Sequence, residues 1–140
     1  FFRLGNLDRA VQVLEKAISL RQDYAEALNN LGLVYYKKNN YERACRYFTQ
    51  VTLLRKNVSE YQLNLGNSLL NQGKLDEALD KYSRAIKIDP KCVDAYCNIA
   101  IIFHEQSNLP ESLKNFNCAL SIQPNHFVSA YNISKFPTGL

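Results

Sequence analysis

Asn30-Leu31-Gly32 recurs as Asn64-Leu65-Gly66, 34 residues further along the chain. Another step of 34 reaches Asn98-Ile99-Ala100, and a third reaches Asn132-Ile133-Ser134. The same period joins Ala10, Ala44, Ala78 and Ser112, and also Ala17, Val51, Ala85 and Ala119. It joins the large residues Leu14, Phe48, Tyr82 and Phe116, and the aliphatic Leu20, Leu54, Ile88 and Ile122. Pro90 and Pro124 fall on it too. Agreement of so many columns at one spacing marks an internal repeat. Complete units are read at 25–58, 59–92 and 93–126, forming a single solenoid over 1–140. Residues 1–24 read as the second part of an earlier unit, and 127–140 as a partial repeat or capping helix.

Each unit reads as two helices. Ala27, Leu28, Leu31, Val34 and Tyr35 recur at steps of three and four, which gathers them on one apolar helical face. A break follows at Lys38-Asn39-Asn40, with counterparts at Gly5-Asn6, Gly73-Lys74 and Ser107-Asn108. Asn6, Asn40 and Asn108 suit a helix cap, where the side-chain oxygen accepts from an orphan backbone N–H. Pro110 falls in the first turn of the next helix, where a missing N–H costs nothing. Ala44, Tyr47, Phe48 and Val51 carry the apolar face of the second helix, and Pro90 and Pro124 stop their helices. Gly32, Gly66 and Ala100 are expected to face small residues such as Ala44 and Ala78 across the pair. The column Leu14, Phe48, Tyr82 and Phe116 is expected to fill the space between neighbouring units. One pair cannot bury such a face alone, so the units must stack.

These columns resemble the tetratricopeptide repeat family. Leu31-Gly32 with Tyr35, Ala44 and Phe48 match its pattern, as do Leu65-Gly66 with Ala78, Tyr82, Ala85 and Pro90. The third unit departs from it, with Ala100 and Ser112 in place of Gly and Ala. The family's early Trp or Tyr is replaced by Leu28 and Gln62, and is Tyr96 in the third unit. The resemblance covers essentially the whole chain. It implies an all-α fold, a right-handed superhelical solenoid of antiparallel helix pairs, with first helices lining a concave groove. The related pentatricopeptide type, which reads RNA, has a 35-residue unit and is disfavoured by the strict period of 34.

Composition agrees with a protein-binding role. The 140 residues carry a net charge of only +4, with 17 basic residues interleaved among 13 acids. Lys37-Lys38 and Arg55-Lys56 are isolated pairs rather than the basic stripe of a nucleic-acid surface. No apolar run has membrane-spanning length, and Ile99-Ala100-Ile101-Ile102-Phe103 reads as buried helix. Cys45, Cys92, Cys97 and Cys118 form no CxxC pair, and His104 and His126 do not complete a metal site. The cysteines are expected to be free thiols in a reducing, cytoplasmic setting. The sequons Asn57-Val58-Ser59 and Asn132-Ile133-Ser134 carry little weight. Neither a cofactor nor an active site is expected: His104 lacks an acid and a nucleophile, His126 lies in a turn, and Cys97 is expected to be partly exposed.

The groove stripe should be the face not used for packing. It runs Glu26, Asn30, Leu33, Lys37, then Glu60, Asn64, Asn67, Asn71, then Asp94, Asn98, Ile101, Glu105. Asn30, Asn64, Asn98 and Asn132 form a column of side chains that both donate and accept. It is similar to the asparagine ladder in the repeat arm of O-linked N-acetylglucosamine transferase, which implies contact with the backbone of an extended peptide. The other reading is structural, with the asparagines tying loops or adjacent helices. Glu26, Glu60 and Asp94 make an acidic column that either favours basic or amide-rich peptides or opposes a helix macrodipole. That column disfavours a clamp for the C-terminal carboxylate of heat-shock chaperones, which needs Lys and Arg in the groove.

The sequence therefore predicts a non-catalytic scaffold or adaptor that binds a protein or peptide, without nucleic acid or membrane insertion. Two alternatives stand beside it: a structural solenoid in a large multiprotein complex, and the substrate-selecting arm of a larger enzyme such as a glycosyltransferase. Phe1 falls where Tyr35 falls one unit later, so the chain is expected to start inside a first helix and to be a piece of a longer protein.

Overall fold

A computed structural model describes residues 4–20 and 24–126. These residues form seven α-helices and no strand: α1 (Leu4–Leu20), α2 (Ala25–Lys37), α3 (Tyr41–Leu54), α4 (Ser59–Asn71), α5 (Leu75–Ile88), α6 (Val93–Glu105) and α7 (Leu109–Ile122). First helices begin at 25, 59 and 93, and second helices at 41, 75 and 109. Each of α2, α4 and α6 packs chiefly on the helix that follows it, and the pairs stack in chain order. The fold is an all-α helical repeat.

The turn inside each pair repeats as strictly as the helices do. Asn39, Gly73 and Ser107, again 34 apart, all take left-handed backbone, with φ of 62°, 77° and 61°. The left-handed residue reverses the chain after the first helix, and two of the three positions manage it without glycine. The caps then follow as expected: Asn40 accepts from the Arg43 N–H at 3.2 Å, and Asn108 from the Glu111 N–H at 3.5 Å. The break expected at Gly5-Asn6 does not occur, because α1 already includes both residues.

Leu28, Leu31, Val34 and Tyr35 of α2 and Ala44, Phe48 and Val51 of α3 are all buried, and Tyr47 is half-buried with its ring stacked on Tyr35 at 5.7 Å. The glycine column has a different partner from the one expected. A Cβ on Gly32 would stand 2.5 Å from the Phe48 ring, and one on Gly66 would stand 2.7 Å from the Tyr82 ring. The small residues of the first helix therefore receive the large residue of the second helix of the same unit. The ring column fills the seam within a pair rather than only the space between units. In the third unit Ala100 replaces the glycine, and the Ser112 hydroxyl donates to its backbone carbonyl at 2.7 Å. Buried serine is tolerated there because that bond satisfies its hydroxyl.

Candidate protein-binding groove

The first helices α2, α4 and α6 lie side by side and are joined by side-chain hydrogen bonds. Asn64 Nδ2 donates to Asn29 Oδ1 at 3.1 Å, and Asn71 Nδ2 donates to the Tyr36 hydroxyl at 2.9 Å. Between α4 and α6, Asn98 Nδ2 donates to Asn67 Oδ1 at 3.0 Å. The same Asn67 oxygen accepts from the Tyr82 hydroxyl at 2.7 Å, so it joins its own second helix to the next unit. Gln72 Nε2 adds a tie to the Tyr41 carbonyl at 2.9 Å.

The expected stripe is placed as follows. Glu26, Glu60 and Asp94 are exposed and lie in the first turns of α2, α4 and α6, where a carboxylate is favoured by the helix dipole. Asn64, Asn67 and Asn98 are half-buried, whereas Asn30 is exposed. Asn132 lies outside the described residues. Leu33 and Ile101, the counterparts of Asn67 one unit to either side, are half-buried as well. The stripe is thus acidic at the start of each helix, amide-rich in the middle unit and apolar at Leu33 and Ile101.

Asn29 and Tyr82 were not among the expected site residues. Asn29 is buried, and it is the acceptor that fixes Asn64. Burial, reinforced by the Tyr36 hydroxyl nearby, pushes Tyr82 far above the ordinary tyrosine range, with the Asn98 amide opposing the shift. Tyr82 therefore stays a proton donor to Asn67 under ordinary conditions. Tyr36 is also raised, chiefly by burial, with its bond to Asn71 acting the other way. The signal that could have found the Tyr82 contact is a paired change along the repeat. Leu33 goes with Phe48 and Ile101 with Phe116, but Asn67 goes with Tyr82.

Cys45, Cys92, Cys97 and Cys118 form no disulfide among the described residues, and Cys97, expected to be partly exposed, is buried at 5% exposure. Cys97 is buried in a cluster with Ala100 and Phe116, against which Ile101 packs. Burial also pushes the Cys92 thiol up, which makes the reactive thiolate scarcer. Among the described residues no group of three or more His, Cys, Asp or Glu could hold a metal ion, and no helix is long and apolar enough to cross a membrane.

The sequence pattern described as TPR repeat matches residues 1–39 and 66–107, and that described as Tetratricopeptide repeat matches 25–58. The chain belongs to the tetratricopeptide repeat family. No curated protein matches it in sequence. Among solved structures it is similar to MamA, at 20% identity and a TM-score of 0.84 over 89% of this chain and 73% of that one. It is similar to the Arabidopsis OM64 TPR domain, at 21% identity and 0.76, over 79% of this chain and 91% of that one. The first TPR of Spaghetti (RPAP3), bound to the HSP90 peptide SRMEEVD, gives 20% and 0.76, over 79% and 88%. At these identities the likeness is one of fold.

Proposed function

We propose that the chain is a non-catalytic protein-interaction module that takes an extended peptide or partner segment along α2, α4 and α6. Membership of the tetratricopeptide repeat family supports the interaction role. The observation that carries the groove reading is the state of Asn64. Its amide is half-buried and fixed through Nδ2, while Oδ1 has no hydrogen-bond partner among the described residues. A held amide loses little freedom when a peptide N–H reaches it, so more of the bond survives as affinity. Asn98 is fixed in the same manner one unit on, and Asn30 and Asn67 extend the row. Glu26, Glu60 and Asp94 bias the groove toward basic or amide-rich segments, and so away from an acidic peptide such as the one RPAP3 holds.

The test uses peptides selected on the immobilised chain from a random library. Asn64→Ala with Asn98→Ala removes two backbone bonds and should weaken the selected peptides about tenfold. Circular dichroism should show the helical content unchanged. Equal affinity for the double variant sinks the groove reading.

A further inference from the structure

The opposite side of the stack carries a second cleft, of about 870 Å³, between the second helices α3 and α5. Its lining from α4 is Gln62, Leu65 and Leu69. Gln62 stands in the column occupied by Leu28 and Tyr96 in the neighbouring units. Leu28 is fully packed at 1% exposure. Gln62 is also buried, at 7%, but its Oε1 has no hydrogen-bond partner. A buried acceptor left unpaired is costly, and this polar side chain lines the cleft where its counterparts are leucine and tyrosine.

The walls of the cleft are uneven in charge. Lys56, Lys81, Arg84 and Lys87 face only two carboxylates, Glu77 and Asp80. Asp80 is shared between two of those cations, Arg84 at 3.0 Å and Lys81 at 3.5 Å. The lip on α3 is apolar, with Leu53 68% exposed. Apolar side chains, a surplus of positive charge and one unsatisfied amide therefore meet in one groove between two helices.

We propose that this cleft is a second docking surface, which takes an acidic amphipathic helix of a partner protein. Leucine-type residues of that helix sit against Leu53, Leu65 and Leu69, as an apolar helix face does in a groove. Its carboxylates meet Lys56, Lys81, Arg84 and Lys87. A Ser, Thr or amide side chain at its centre donates to Gln62. The surface is separate from the asparagine stripe, and its charge preference is opposite.

The probe is a fluorescent synthetic helix of about four turns, with leucines at three- and four-residue steps, a central Ser and Glu elsewhere. Its control carries Lys at every Glu. The acidic helix should bind, and the Lys version should bind at least about tenfold more weakly. Arg84→Glu with Lys87→Glu, both at exposed positions, should weaken the acidic helix by about the same factor. Gln62→Tyr, which restores the residue found at position 96, should block binding while the protein melts no lower than the parent. Gln62→Leu gives the same readout with less bulk. Amide shift changes on addition of the acidic helix should fall on α3 and α5. The proposal is overturned if the acidic helix does not bind, if both helices bind alike, or if the charge reversal and both Gln62 variants leave affinity unchanged. Shift changes confined to the asparagine stripe would overturn it too.

Discussion

The two junctions between first helices are built from the same columns and bonded differently. Asn64 and Asn98 are equivalent residues, yet Asn64 donates to Asn29 whereas Asn98 donates to Asn67. The reason lies in what each donor finds across the junction. Asn64 faces Asn29 and Leu33, while Asn98 faces their counterparts Leu63 and Asn67. Leucine offers no side-chain acceptor, so each amide turns to the one available. The α2–α4 junction adds Asn71 to Tyr36 and is backed by Gln72 to the Tyr41 carbonyl. Leu70 and Glu105 stand where Tyr36 and Asn71 would be needed at the α4–α6 junction. A repeat column therefore determines where a donor stands, and the neighbouring unit determines what it does.

The largest effect should come from Asn67, which holds the α4–α6 junction and Tyr82 with one oxygen. Asn67→Leu strands the buried Tyr82 hydroxyl and should cost about 2–3 kcal/mol in chemical denaturation. Adding Tyr82→Phe should recover most of it, because removing both partners costs far less than removing one. The double variant copies the Leu33–Phe48 pairing of the preceding unit. A double variant as unstable as Asn67→Leu alone would show that the hydroxyl contact is not the cause.

Hydrogen exchange should resolve the junctions in the wild-type chain. The α2–α4 side has two more side-chain ties than the α4–α6 side, and each such bond contributes about 0.5–1.5 kcal/mol. Amides of α6 and α7 should open about 1–3 kcal/mol more easily than those of α4 and α5. Uniform protection across the four helices would mean that apolar stacking outweighs the polar ties.

High pH should act through the same contacts. Tyr82 and Tyr36 hold their protons more tightly folded than unfolded, chiefly because of burial. Above the ordinary tyrosine value of about 10, the folded chain binds more protons than the unfolded one, and stability falls as pH rises. Below about pH 9 these groups should add no slope. Tyr82→Phe with Asn67→Leu should flatten the alkaline fall, which denaturation midpoints across the pH range would show.

The helices, their order and the burial of Leu31, Val34, Phe48, Ala78 and Ala85 were legible because periodicity reports which face of a helix is covered. Asn40 and Asn108 were legible as caps because capping is local. The partner of Gly32 and Gly66 was not. Whether a small residue receives a small or a large neighbour depends on how two helices are rotated against each other, and a column by itself carries no such angle. The asparagine column was legible as a stripe and as a possible tie between adjacent helices, but which acceptor each amide takes was not, because Asn64 and Asn98 differ only in what stands across the junction.

The smallest expected effect is also the most direct test of how the junctions differ. Leu33→Asn places at the α2–α4 junction the acceptor that Asn98 uses at the next one, while Asn29 stays in place. Asn64 then has two acceptors and one amide nitrogen to share between them. Leu33 is half-buried, so the lost apolar contact and the added bond are of similar size, and stability should change by no more than about 0.5 kcal/mol. The bonding should still change: Asn29→Ala, worth about 1 kcal/mol in the wild-type chain, should cost less in the Leu33→Asn background, because Asn64 can turn to residue 33. An unchanged cost would mean that the Asn64 amide cannot swing along α2, and that helix rotation, rather than the acceptor on offer, chooses its partner.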